Sequence, residues 1–334
     1  MHSLLSDLFA RFRTEECGTR IATRKLRKQA MNHCLTAVGD ITLHEFGYAE
    51  ARRLQRYLVE SPARNAVTAN TYLRMLEPVF ELACYQGDLA ENPLRAIRRL
   101  REPKKRIETY SRAEAEALVA ACESMRHRAT TRAWRVRILL ALCAGLRRGE
   151  CLNLHVGDID FEAGWIWVRA KAERPESWAW SVKDYEDRKV PLPEILADTL
   201  AEAIAELPAG QPYVALTPRR YRGCQRHRQA GTWSEELACL PDQNFRQPFL
   251  RLCGRAGVTN KTFHALRATC ITWWLQDGVP AQEVRDLAGH SDLETTMKYY
   301  AAVRSDYVHR AAATTNERIK RSQIGATGLE PATS

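Results

Sequence analysis

Four side chains suited to phosphate chemistry stand close together in the C-terminal third of the chain: His264, Arg267, His290 and Tyr299. His264 and Arg267 are three apart, so on a helix they share one face. Pro280, after Gly278, fits the first turn of a second helix. Ser291-Asp292-Leu293-Glu294 reads as a capping box opening a third helix just after His290. Tyr299 then falls about two turns into that helix. Arginine presents a permanently charged fork to phosphate oxygens. Histidine exchanges a proton near neutral pH, and an activated tyrosine is a nucleophile.

The elements that must position these groups precede them. Residues 4–12 place Leu4, Leu5, Leu8, Phe9 and Phe12 at helical spacing. Further helices are predicted over 23–38, 49–59 and 68–87, the second of the four carrying Arg24, Lys25, Arg27 and Lys28 near its start. A solvated helix face explains that basic cluster as well as a nucleic-acid contact does. Asn92-Pro93 marks a turn. Residues 95–106 then hold seven basic side chains, among them Lys104, Lys105 and Arg106, and read as an exposed linker. Net charge is +10, and residues 1–107 hold 19 Lys/Arg against 12 Asp/Glu, a surplus of 7. A polyanionic partner, nucleic acid first, is the expectation.

Ser111-Arg112-Ala113-Glu114 is another capping box. An apolar helix over 133–143 ends at Gly145, and Arg147 follows between two glycines. Arg147 and Glu150 could simply pair on the surface, an arrangement worth little. Trp165, Trp167, Trp178, Trp180 and Val182 alternate with smaller or polar residues as strands do, and 188–192 suggests a third strand of a small antiparallel sheet. Residues 209–245, with Arg219, Arg220, Arg222, Arg226 and Arg228, read as polar and irregular: a basic loop facing DNA or a poorly ordered insertion. The ten cysteines include no C-x-x-C pair, so reduced thiols are expected rather than a zinc cluster or disulfide framework. No run of about 18 apolar residues suggests a membrane span.

Five segments in order carry a family resemblance: AGLRRGECLNL (144–154), SVKDYEDRKVPL (181–192), HALR (264–267), LAGHS (287–291) and TTMKY (295–299). Together they resemble the tyrosine recombinase, or phage integrase, family. The first third matches less specifically, as a four-helix core-binding domain leaving through Asn92-Pro93-Leu94. The resemblance implies a mainly α fold with a small antiparallel β-sheet, organised as a core-type DNA-binding domain with basic linker (1–104), a catalytic domain (105–312) and a flexible tail (313–334). It implies Arg147 and Arg267 on the scissile phosphate, Lys183 as the strand-turn lysine, His264 and His290 at the histidine positions, Tyr299 as nucleophile and Glu150 supporting the first arginine. Lys171 is a rival for Lys183, because residues 171–177 lengthen the hairpin relative to the compact family pattern.

The expected function is that of a site-specific DNA recombinase, an integrase or excisionase of a mobile element, working through a 3′-phosphotyrosyl intermediate with no metal, ATP or other cofactor. Its expected partners are double-stranded DNA bearing core-type sites, further copies of itself as a tetramer on DNA, with 306–321 as a candidate exchanged helix, and an accessory bending or directionality factor. The expected location is cytoplasmic and nucleoid-associated. A Xer-type dimer resolvase and a catalytically silent DNA-binding protein on the same fold are the alternatives. Few residues precede the first predicted helices, which leaves no room for an arm-site-binding domain. Residues 328–331, Gly-Leu-Glu-Pro, could be encoded by the antisense of a tRNA T-arm, as at an attachment site.

Overall fold

The computed structural model describes residues 3–16, 18–19, 21–60, 65–103, 106–182, 187–233, 244–258, 261–303 and 315–316. The chain forms two compact units, residues 1–105 and 106–334. Both are mainly helical, and the second holds one small antiparallel sheet. No described helix is long and apolar enough to cross a membrane.

The first unit contains α1 (Leu5–Glu15), α2 (Ile21–Val38), α3 (Tyr48–Glu60) and α4 (Ala66–Tyr85). Their apolar stripes meet in one core, with Leu8, Phe9, Met31, Leu54, Leu58, Leu73 and Phe80 buried and Phe46 4.5 Å from Phe80, ring to ring. Two expectations fail here. Arg27 is not part of a solvated basic face: it is buried, paired with Glu16, and lies over the Phe12 ring at 5.0 Å. Arg24 is half-buried, and Lys25 and Lys28 are exposed. The segment after Asn92 is not a free linker either. Leu94 and Ile97 sit in the core, and the Asn70 amide both donates to Leu100 O (2.9 Å) and accepts from Leu100 N (3.0 Å). Spaced apolar residues among many charges concealed this anchoring. Lys104 and Lys105 lie outside the described residues, and Arg106 is exposed.

The second unit contains α5 (Arg112–Ala121), α6 (Arg128–Cys143), α7 (Arg148–Leu152), α8 (Glu194–Ala205), α9 (Pro218–Gln229), α10 (Arg246–Arg255), α11 (Phe263–Gln276), α12 (Ala281–Ala288) and α13 (Leu293–Val303). Helix α6 is its axis, buried nearly all round and packed against α8 and α11. The Ser111–Glu114 capping box forms at the start of α5.

The antiparallel sheet has the order β1 (Ile159–Asp160), β2 (Trp165–Val168), β3 (Arg188–Pro191), with Ile166 opposite both Ile159 and Val190. The first strand, two residues long, is too short to show periodicity. The strand expected over 178–182 does not form; only isolated bridges join Lys171 to Trp180 and Arg174 to Ser177. Its aromatic alternation serves packing instead. Trp178 stacks on Tyr213 at 4.0 Å, and its ring nitrogen donates to the Asn153 side chain at 2.9 Å.

Residues 218–229, expected to be irregular, form α9, capped by the Thr217 hydroxyl with Pro218 in its first turn. Arg219, Arg222 and Arg226 are exposed on it, whereas Arg220 is half-buried and Arg228 pairs with Glu173 at 2.6 Å. The high arginine content masked a helix whose buried side consists only of Tyr221 and Cys224.

Candidate active site

The site starts where α6 stops. Gly145 takes the left-handed conformation (φ 64°), and a Cβ there would meet the Trp274 ring at 3.0 Å. Only glycine turns the chain this tightly against that ring. Arg147 then stands at the N-cap of α7, and Glu150 closes back on it: the carboxylate accepts from Arg147 N at 2.8 Å and Nη1 at 3.0 Å. The pair, which by spacing alone could have been superficial, is internal, with Glu150 buried.

Two more guanidiniums converge on the same place. Arg188 on β3 grips both oxygens of Glu150, at 3.0 and 2.7 Å. Arg267, one turn into α11 and 2% exposed, donates to the carbonyls of Gly145 and Ala288. Burial alone would raise the pKa of Glu150, but Arg188, with help from Arg267 and Arg147, brings it down to about 2. Burial lowers that of Arg267 to about 10, which leaves it charged at neutral pH. The cluster therefore holds three cations against one anion.

The histidines and tyrosine come from α11 to α13. His264, three residues before Arg267, is exposed and shares a cavity of about 770 Å³ with Arg147, Arg246, Lys261 and Arg267. Gly289 ends α12 in the left-handed conformation. His290 follows, lining a second cavity of about 420 Å³ with Arg147, Val182, Asp187 and Arg188. Arg147 thus borders both cavities. The His290 ring bonds through Nδ1 to the buried Thr296 hydroxyl at 2.8 Å and stacks on Tyr299, 5.7 Å centre to centre. Burial, then the fields of Arg267 and Arg147, lower its pKa to about 4, so the ring is neutral at pH 7.

Tyr299 packs among Ala268, Ile271, Leu275, Val284 and Ala288, contributed by α11 and α12. Burial raises its pKa, and Arg267 and Arg147 offset part of that rise. The cap of α13 differs from the expected box. Helix α13 begins at Leu293, so Asp292, not Ser291, caps it and accepts from Thr295 N at 2.7 Å, with its negative charge favoured at the helix N-terminus.

Residues 109–306 match the sequence model of the phage integrase family. The chain belongs to that family. Its function is that of a tyrosine-type site-specific recombinase, which cleaves and rejoins DNA. Among its relatives is a XerC-like tyrosine recombinase of Caldanaerobacter subterraneus subsp. tengcongensis, 27% identical over 79% of this chain and 70% of that protein. The tyrosine recombinase XerA of Thermococcus kodakarensis is 30% identical over 53% of each. Among solved structures, the Tn1549 transposon integrase with transposon right-end DNA superposes with a TM-score of 0.69 at 19% identity, over 93% of this chain and 100% of that one. A lambda integrase dimer bound to a core site gives 0.66 at 16%, over 89% and 77%.

Within this phage integrase domain, the structure brings together Arg147, Glu150, His264, Arg267, His290 and Tyr299. Lys183 lies outside the described residues, although its neighbours Val182 and Asp187 line the second cavity. Lys171 is engaged elsewhere: its ammonium is buried against Asp158 at 2.8 Å and donates to Arg169 O. Arg188 is the site residue that sequence reasoning missed. It read as one position of a strand, and nothing local announces a partner 38 residues earlier.

Proposed function

We propose that the chain is a mobile-element integrase that recombines double-stranded DNA at core-type sites through a 3′-phosphotyrosyl intermediate. The observation that carries this is Tyr299 stacked on His290 in the field of Arg267 and Arg147, with His264 in the cavity those arginines line. The two guanidiniums hold the non-bridging oxygens of the scissile phosphate, where negative charge builds during attack. Tyr299 Oη attacks phosphorus, its proton passing to His264, and the bond from phosphorus to the 5′-oxygen breaks. Lys183 gives a proton to that departing oxygen. If the Thr296 hydroxyl donates to Nδ1 of His290, the neutral ring carries its proton on Nε2 and offers it to the phosphate. The phosphotyrosyl bond keeps the energy of the phosphodiester, so the 5′-hydroxyl of a partner strand reverses the reaction without an external energy source.

The four-helix unit serves as the core-type DNA-binding domain, with Arg24, Lys25, Lys28, Lys104, Lys105 and Arg106 as contacts to backbone phosphates. Recombination between two sites calls for several copies on DNA, and a tetramer is the assembly proposed here. A lambda integrase tetramer bound to a Holliday junction is a neighbour of this fold and supports that choice. Of the candidate exchanged helix at 306–321 and the tail, only residues 315–316 are described.

A suicide duplex, nicked beside the crossover and taken from DNA flanking the gene, tests the chemistry. The wild-type chain should become covalently attached to it. Tyr299→Phe should abolish the adduct and Tyr300→Phe should leave it. No wild-type adduct overturns the enzymatic reading, and an adduct surviving Tyr299→Phe moves the nucleophile. Integration beside a tRNA-like sequence at the 3′ end of the gene distinguishes a mobile-element integrase from a Xer-type resolvase.

A further inference from the structure

Arg188 takes part in no step above, yet its side chain makes three hydrogen bonds within the cluster. Its Nη1 and Nη2 donate to Oε1 and Oε2 of Glu150 at 3.0 and 2.7 Å, and its Nε donates to Leu287 O at 2.9 Å. The side chain is 9% exposed. A Cβ on Gly289 would lie 3.1 Å from its Cδ, Nε and Nη1. The glycine before His290 is therefore the residue that lets this guanidinium lie flat against the end of α12.

The lone pairs of Glu150 show what the grip does. A carboxylate offers about four acceptor positions. Arg188 fills one on each oxygen, Arg147 Nη1 takes a second on Oε1, and Arg147 N takes a second on Oε2. With all four filled, the carboxylate cannot rotate, and neither can the guanidinium of Arg147 hydrogen-bonded to it. The third donor of Arg188 ties the same unit to residue 287, three before His290. One side chain on β3 thus braces Arg147 against the loop carrying His290, alongside the direct bond from Arg147 Nη2 to Gly289 O.

We infer that Arg188 is a positioning residue for DNA cleavage, acting through Glu150 to fix Arg147 and through Leu287 to fix the His290 loop. The inference rests on the roles proposed for Arg147 and His290. It does not assign Arg188 a contact with DNA. Two properties follow. Arg188 governs the rate of phosphotyrosyl formation more than DNA affinity. Its effect on Arg147 also requires the Glu150 carboxylate, and requires a planar fork that lysine does not supply.

A double-mutant cycle on the full chain tests both, with Arg188→Met, Glu150→Gln and the pair. The readouts are single-turnover cleavage of the suicide duplex and the Kd for the same duplex. Removing an outer partner that orients a functional ligand costs about 10- to 100-fold in metal sites, and the same order is expected here for Arg188→Met, with Kd changed less than twofold. The double variant should be no slower than the slower single one. Arg188→Lys keeps the charge and carries the test if the methionine variant fails to fold. It should fold, as followed by tryptophan fluorescence, yet cleave as slowly as Arg188→Met does by expectation. Multiplying losses in the double variant, a rate restored by lysine, or a loss confined to Kd each overturns the inference. Absence of an adduct from the wild-type chain removes the proposed chemistry and this role with it. Full-rate Arg188 variants beside a reactive wild type remove this role alone.

Discussion

Replacing Glu150 by glutamine removes the one anion among three guanidiniums while keeping nearly the same shape. Its pKa lies at about 2 instead of the ordinary 4.5, which corresponds to about 3 kcal/mol of stability at neutral pH. Breaking a buried ion pair by removing one partner costs about 3–5 kcal/mol, so two separate arguments give the same order. The sign follows from the direction. A carboxylate whose pKa is depressed on folding contributes fully above the unfolded value near 4.5, and the contribution fades as pH falls through about 2. At pH 3 more than half of it should be gone, leaving about 1 kcal/mol. The assay is urea unfolding of wild type and Glu150→Gln at pH 7 and pH 3, followed by tryptophan fluorescence. All eight tryptophans lie between 134 and 274, so the signal reports on the second unit alone. A penalty below about 1 kcal/mol at pH 7, or one as large at pH 3 as at pH 7, would refute the buried-anion argument.

The two lysines should separate by phenotype. Lys171→Ala leaves Asp158 short of a buried partner and should lower stability by about 1–3 kcal/mol in urea unfolding while retaining cleavage. Lys183→Ala should leave stability intact and slow cleavage, with the rate recovered on DNA whose scissile bond ends in a 5′-bridging sulfur, a leaving group that departs as thiolate without a proton. Gly289→Ala forces a side chain into the left-handed region against Arg188. It should cost about 1–2 kcal/mol from backbone conformation alone and also slow cleavage in the single-turnover assay. His290, with its pKa lowered to about 4, rejects a proton that the unfolded chain accepts below about 6.5. Stability should therefore decline as pH falls from about 6.5 toward 4, and His290→Gln should flatten that part of the urea-midpoint profile.

The residues legible in the sequence were those whose partners are close in the chain. Arg147 and Glu150 are three apart, as are His264 and Arg267, and helix geometry alone makes each pair neighbours. Tyr299 and His290 were legible together because a cap fixes the start of α13, even though the cap is Asp292 and not Ser291. Arg188 was not legible, because its reason for being there is a carboxylate on another element. Arg27 misled for the converse reason: a basic run looks solvated unless the acid that buries one of its members, Glu16, is known to fold back onto it. The aromatic alternation over 178–182 obeyed the period of a strand but was satisfied by the Tyr213 ring. Periodicity reports which side of a segment is buried and not what it is buried against.

The charge of the cluster bears directly on the chemistry. Arg147, Arg188 and Arg267 against Glu150 give three minus one, a formal +2 among these four groups. A bound phosphodiester carries one negative charge. Attack by a tyrosinate brings a second, so the transition state carries about two. The cluster is better matched to that state than to bound DNA, which is the condition for binding energy to lower the barrier. The same balance explains why Tyr299 needs a base. The fields of Arg267 and Arg147 do not offset its burial even without DNA, and a bound phosphate cancels part of them. The proton must therefore be drawn off by a neighbour as attack begins. His290 sits against the tyrosine ring with a pKa near 4, too weak a base to hold a proton at neutral pH. His264, exposed on the cavity it shares with Arg147 and Arg267, is the acceptor proposed above. Its replacement by glutamine should slow cleavage most at neutral pH and progressively less only as pH passes the ordinary tyrosine value of about 10, because burial holds Tyr299 above that value. A loss independent of pH would assign the proton to another group.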